Sequence, residues 1–214
     1  MKRKIFLIVL MLLFVTVSFG VSDVQAKTIK VKRDFFADKQ GKYIYYSIPT
    51  KGLYRINTRT YRKKKLKSCR AKGRMTNGFY YITVKGKYIY AVWEKFQGSS
   101  GISGNKPCIC RITKKGKVKV IGYGYKPVVK GKYIYYRGCK RYEDYAWQIS
   151  SKRMRMKLNG SGKKQINSRI KYKKRKFFGL KIKKVYVGEQ RNYNMNLRLY
   201  KNGKKVVLGK WFQS

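Results

Sequence analysis

The sequence predicts an all-β chain: a β-propeller-like array of about four four-stranded antiparallel blades, forming a small closed ring or an open arc. Two observations carry this expectation. The segment Gly41-Lys42-Tyr43-Ile44-Tyr45-Tyr46 returns as Gly86-Lys87-Tyr88-Ile89-Tyr90-Ala91 and as Gly131-Lys132-Tyr133-Ile134-Tyr135-Tyr136, at intervals of 45 residues. A period of about 40–45 residues is that of a four-stranded propeller blade. The recurring core is also apolar or aromatic at successive positions, which implies burial on both faces, as in a sheet sandwiched between two others.

In each unit a short apolar or aromatic segment comes first: Phe35-Phe36-Ala37, then Phe79 to Val84, then Tyr125 to Val129. It joins the core through Gln40-Gly41, Lys85-Gly86 or Lys130-Gly131. A polar residue plus glycine between two strand-like runs fits a two-residue hairpin, because glycine accepts the positive φ such turns need. These are strands a and b. Strand c follows as Leu53-Tyr54-Arg55-Ile56, Cys108 to Ile112 and Met154 to Leu158. In the later units a glycine-bearing turn, Lys115-Gly116 or Asn159-Gly160-Ser161-Gly162, leads to strand d, Val118 to Ile121 or Lys164-Gln165-Ile166. Alternation in Met154 to Leu158 and Val118 to Val120 marks strands with one more solvated side.

A fourth unit is degenerate, with Phe177 to Ile182 as a, Val185 to Gly188 as b, Leu197 to Tyr200 as c and Val206 to Leu208 as d. Asn202-Gly203 between the last two is a strong hairpin signal, and terminal repeats are commonly atypical. The units run roughly over 33–77, 78–122, 123–170 and 171–214, within a single repeat domain spanning 27–214. Thr28 to Lys32 resembles a d strand. It is expected either to add a fifth strand at the edge of the last unit or to leave an open arc that needs a partner, such as a second copy of the chain.

The chain opens with Met1-Lys2-Arg3-Lys4, an apolar run from Ile5 to Val17, and Val24-Gln25-Ala26. A basic start, an apolar stretch and small residues before a cut describe a secretory signal peptide over residues 1–26, cleaved after Ala26. The expected product is secreted or attached to the cell surface; the alternative is an uncleaved N-terminal anchor.

Charge dominates the composition: 56 Lys and Arg against 7 Asp and Glu, for a net charge of +49. Cleavage would remove three basic residues and one acid, leaving the excess nearly intact. Such a field attracts anions and repels itself, and solubility alone needs a magnitude of only roughly 2–8. The 40 lysines outnumber the 16 arginines, so diffuse neutralisation of a polymer is expected more than reading of single groups. A merely solvated surface is the bland alternative.

Catalysis is poorly supported. The chain has no histidine, which excludes Ser-His-Asp and Cys-His arrangements. Glu143-Asp144 are neighbours in one loop, whereas glycoside hydrolysis needs carboxyls facing across a bond at roughly 5–9.5 Å. The glycine-rich Gly98 to Lys106 lacks the phosphate-loop pattern. Four cysteines, Cys69, Cys108, Cys110 and Cys139, leave two readings open. Cys69 and Cys139 each pair with one of the middle two, since a Cys108–Cys110 bridge is geometrically poor, or the thiols are free and buried. No metal site and no cofactor is expected.

The tyrosine-rich cores, Gly52-Leu53-Tyr54-Arg55-Ile56-Asn57 and the turn Lys157-Leu158-Asn159-Gly160-Ser161-Gly162-Lys163 resemble the blades of secreted Gram-positive bacterial β-propellers of the LDL-receptor-related-protein-like type, a domain of unknown function. The likeness covers nearly all of 27–214, most clearly three units. In that family the residue before the tyrosine-rich strand is often acidic and the c–d turn is of D-G-T-G type. Lys42, Lys87, Lys132 and Asn159 stand at those places here, which removes any implied cation binding. The resemblance implies a propeller fold and no catalytic residues.

If the a–b and c–d turns share one face, the b–c connections lie on the other, where loops on a rigid scaffold usually bind. The expected ligand face is built from Trp93, Lys95, Phe96, Lys106, Arg137, Lys140, Arg141, Tyr142, Tyr145 and Trp147. Rings interleaved with cations stack sugars or bases while anionic groups are neutralised; each ring could equally cap a loop's own small core. The expected function is non-enzymatic binding to anionic envelope polymers, teichoic acid or acidic lipid head groups. A protein partner on the aromatic face and extracellular nucleic acid are the alternatives.

Overall fold

The computed structural model describes residues 28–33, 36–69, 78–95, 106–142, 146–174, 181–187, 194–201 and 204–212. The expected signal segment, 1–26, lies outside them. Among the described residues every regular element is a β-strand. β1 (Thr28–Arg33) precedes a first antiparallel sheet of β2 (Ala37–Gln40), β3 (Tyr43–Ile48), β4 (Gly52–Asn57) and β5 (Lys63–Ser68). The second sheet is β6 (Gly78–Lys85), β7 (Tyr88–Lys95), β8 (Lys106–Thr113) and β9 (Val118–Tyr123). The third is β10 (Tyr125–Lys130), β11 (Tyr133–Tyr142), β12 (Ala146–Lys157) and β13 (Lys164–Gln165). After β14 (Arg169–Lys174), a fourth sheet has three strands: β15 (Lys181–Val187), β16 (Asn194–Lys201) and β17 (Lys204–Phe212). Each four-stranded sheet is a meander in chain order, as the repeat predicts.

The first hairpin of each repeat turns on Gly41, Gly86 and Gly131, at φ of 56°, 57° and 59°. Gln40 pairs with Tyr43, so the two turn residues are Gly41-Lys42, one position later than the expected Gln40-Gly41. Glycine leads this form of turn because its first position needs positive φ. A β-carbon on any of the three would meet nothing within 4 Å; backbone conformation alone demands the residue.

Strand b feeds two interfaces at once. Ile44, Tyr46 and Ile48 join a cluster with Leu199 and Leu208 of the fourth sheet, while Tyr43 and Tyr45 face the second sheet beside Leu53, Cys69, Phe79 and Ile82. In the second sheet Ile89 and Ala91 point back into that cluster; Tyr90 and Val92 point forward to Ile134, Tyr136 and Met156. The order of packing is therefore fourth, first, second, third, and each fully buried Ile or Leu contributes about 1.5–3 kcal/mol.

Polar contacts pin these junctions. The Asp38 carboxylate accepts the N–H of Lys39 and, across the junction, of Val84, both at 2.7 Å. The Tyr46 hydroxyl donates to the Leu208 carbonyl at 3.3 Å. The c–d turn of one sheet also seats on the outer strand of the sheet before it. A β-carbon on Gly116 would lie 1.9 Å from the Leu66 carbonyl oxygen, and one on Gly160 2.6 Å from that of Ile121.

Two strand expectations need correction. β1 does not extend the last sheet: it pairs in parallel with β14, with Ile29 beside Ile170. Both strands alternate cations with an apolar or aromatic residue, and their isoleucines pack on Val128 and Tyr135 of the third sheet. In the fourth unit the expected a and b strands collapse into one, β15, because Lys181 to Val187 pair continuously with β16. Phe177 to Leu180, Gly188 and Asn202-Gly203 lie outside the described residues.

Candidate functional site

Strand runs into the expected b–c loops from both ends. β7 runs to Lys95 and β8 starts at Lys106; β11 runs to Tyr142 and β12 starts at Ala146. Register explains this: Lys95 pairs with Lys106, Lys140 with Gln148, Arg141 with Trp147 and Tyr142 with Ala146. Phe96 and Tyr145 lie outside the described residues, as do Glu143 and Asp144.

The described ligand residues divide between the second and third sheets. Trp93 is half-buried and its ring stacks on Phe79 at 5.4 Å within the core between the first two sheets. Arg137, Lys140, Arg141, Tyr142 and Trp147 belong to a second, long hairpin in the third sheet. Directly opposed side chains share a face, so Arg141 and Trp147 lie with Cys139 and Ile149, while Lys140 lies with Gln148. Lys140 and Arg141 are exposed and Trp147 is half-buried. The Tyr125 hydroxyl ties this hairpin down by donating to the Trp147 carbonyl at 2.7 Å; Arg137 Nε donates to the Ser150 carbonyl at 3.2 Å.

The densest exposed charge lies elsewhere. β5, β9 and β13 are the last strands of their sheets, and lysines lie in them or just before them. Lys63, Lys64, Lys65 and Lys67 of β5 are all exposed, as are Lys115, Lys117 and Lys119 around β9 and Lys163 and Lys164 at β13. Such a strand keeps other sheets from pairing with its free edge, because every added strand would meet a row of cations. In β5, Lys63 and Lys65 stand two residues apart on one side, which spaces their attachment points by about 6–7 Å. The run Lys63-Lys64-Lys65-Leu66-Lys67 was the available signal; what it lacked in the sequence was a place in the fold.

A second repeated feature was not foreseen. Arg55, Arg111 and Arg155 of the c strands lie over the rings of Tyr43, Tyr88 and Tyr133, with centroid distances of 4.8, 4.6 and 4.2 Å. Each arginine pairs across the ladder with the second tyrosine of its unit, Tyr45, Tyr90 or Tyr135. In the first two sheets that tyrosine is buried, at 1% and 2% exposure, and desolvation raises its hydroxyl pKa despite the neighbouring guanidinium. These cations are therefore partly committed to holding phenol rings.

Two acid–base groups meet at the junction of the second and third sheets. Burial raises the Glu94 carboxyl and pushes Tyr125 up to about 12, with Glu94 and Cys139 adding to the shift. None of the four cysteines forms a disulfide, and three of them are buried, which answers the open pairing question for this structure. Burial pushes Cys69 up to about 12 and raises Cys110 further still, so neither is primed as a nucleophile. No family model matches the chain, and no curated protein matches it.

Proposed function

We propose that this is an exported, non-enzymatic binding protein that associates with anionic polymers of the cell envelope, teichoic acid being the best fit. Its sheets are read as blades of a propeller-like array, in keeping with the resemblance to secreted bacterial propellers. The observation that carries the proposal is β5, where four lysines stand exposed along one sheet edge in a chain of net charge +49. An extended row of hydrated point charges suits a flexible polymer of phosphate groups better than a shaped small molecule.

Binding of this kind gains its free energy from released counter-ions and is multivalent, so it falls steeply with salt. A direct test incubates the purified protein with isolated envelope material, before and after removal of its phosphate polymers, across a salt series. Retention is expected to vanish on polymer removal and on raising salt. Retention that ignores both, yet collapses on Trp147→Ala, would assign the protein to a protein partner instead. For export, the N-terminus of the protein recovered from the medium or cell surface is expected at Lys27.

A further inference from the structure

We propose that the third sheet carries a discrete site for a phosphate group, formed by Arg137, Arg153 and Arg155. The site rests on the polymer-binding reading and gives it a specific anchor. It follows from comparing the repeats at equivalent positions. Ser47, Val92 and Arg137 are separated by 45 residues each, and their partners across the ladder are Leu53, Ile109 and Arg153. In the first two sheets this pair belongs to the buried interior: Ser47 is 1% exposed and Leu53, Val92 and Ile109 are 0%. In the third sheet the same two positions hold a pair of half-buried arginines.

Like charges directly opposed in a sheet repel, and no carboxylate among the described residues pairs with these. Arg137 Nε donates to the Ser150 carbonyl at 3.2 Å and Arg153 Nη1 to the Asn167 carbonyl at 3.4 Å. Arg155 lies on the Tyr133 ring, and its Nε is buried with no hydrogen-bond partner. None of these contacts is to a carboxylate, and Lys164 stands opposite Arg155. Packing of Ile29 and Ile170 against Val128 and Tyr135 covers only part of this face.

Arg153, the central member of the three, lines a polar cleft of about 260 Å³ together with Ser151, Lys152, Gln165, Ile166 and Asn167. That is smaller than a typical small-molecule pocket and suits a phosphate with its ester substituent. Guanidinium forks match phosphate oxygens bidentately. A carboxylate would be satisfied by one fork; a phosphate has oxygens enough for several.

Calorimetric titration of the purified protein with inorganic phosphate, at constant ionic strength, tests the site. Saturable binding is expected, and Arg137→Val/Arg153→Ile, which installs the residues of the second sheet, should weaken it at least tenfold while near-ultraviolet circular dichroism stays native. Arg137→Lys/Arg153→Lys keeps the charge but loses the fork and should weaken it at least threefold. Lys85→Gln/Lys87→Gln, at two exposed lysines of the second sheet's first hairpin, should bind phosphate as the wild type does. Absence of saturable binding by the wild type, or wild-type affinity in both arginine variants, overturns the site. Polymer retention measured on the same proteins keeps the two readings apart, because the arginine variants leave the lysine edge of β5 intact and its interaction would survive their loss.

Discussion

Asp38 offers the sharpest perturbation of the fold. Its carboxylate is 1% exposed and accepts two backbone N–H groups at 2.7 Å, one of them Val84 on the neighbouring sheet. Hydrogen bonds to an ionised group contribute roughly 1.5–3 kcal/mol each, and losing the acceptor leaves buried donors unsatisfied. Part of that loss is offset because the variant no longer buries a charge. Asp38→Ala should therefore destabilise by about 3 kcal/mol and Asp38→Asn by about 2 kcal/mol, since the amide keeps one acceptor and turns an NH₂ toward the other donor. A shift of about 3 kcal/mol corresponds to a melting point lower by about 6–12 °C in a domain of this size. Urea denaturation followed by tryptophan fluorescence measures it, and amide exchange at Val84 should accelerate in the Asn variant. A stability within about 0.5 kcal/mol of wild type in the Ala variant would refute the reasoning, because surface substitutions do no more than that.

Other outcomes follow from the same contacts. Gly116→Ala should cost at least about 2 kcal/mol in urea denaturation, because its new β-carbon meets the Leu66 carbonyl at 1.9 Å and φ is 98°. Gly86→Ala, where nothing lies within 4 Å, should cost only about 1–2 kcal/mol from its positive φ. Burial raises the hydroxyls of Tyr45, Tyr46, Tyr90, Tyr125 and Tyr136 above the usual value of 10.0. Their contribution is fully present below pH 10 and lost as pH rises further, so absorbance at alkaline pH should show these rings ionising only together with unfolding. Smooth titration of all 20 tyrosines near pH 10 with an unchanged dichroism spectrum would contradict it. Glu94, also raised by burial from 4.5, favours the folded state when protonated; that contribution is lost as pH rises through its folded value. Glu94→Gln should therefore be the more stable protein at pH 7, with a flatter urea midpoint between pH 4 and 7.

Much of this architecture is legible in the residues. The 45-residue return of the Gly-Lys-Tyr segment locates three sheets, and the unbroken apolar run of Tyr43 to Tyr46 announces a strand buried from both sides. What the period hides is whatever does not repeat. β1 and β14 pair in parallel without any turn between them, and such pairing leaves no local signature; unit boundaries set by the period also cut through β14. Trp93 read as a loop aromatic because its neighbour Phe79 is adjacent only through the register of β6 and β7. Arg137 was visible as a cation, yet its meaning came from Arg153 across the ladder and from the apolar pairs at the same place in the other sheets. The lysines of β5 are diffuse charge in the sequence alone; the sheet order puts them on an edge.

The central claim is that the exposed lysine edge, and not charge in general, grips a phosphate polymer. The most direct measurement is the salt dependence of binding to a purified polyol phosphate chain, for the wild type and for Lys63→Gln/Lys64→Gln/Lys65→Gln/Lys67→Gln. If the four lysines each neutralise a phosphate, the slope of log K against log salt becomes shallower by about 3 in the variant, at about 0.7–0.9 per contact. An unchanged slope, or affinity indifferent to salt in both proteins, would contradict the claim.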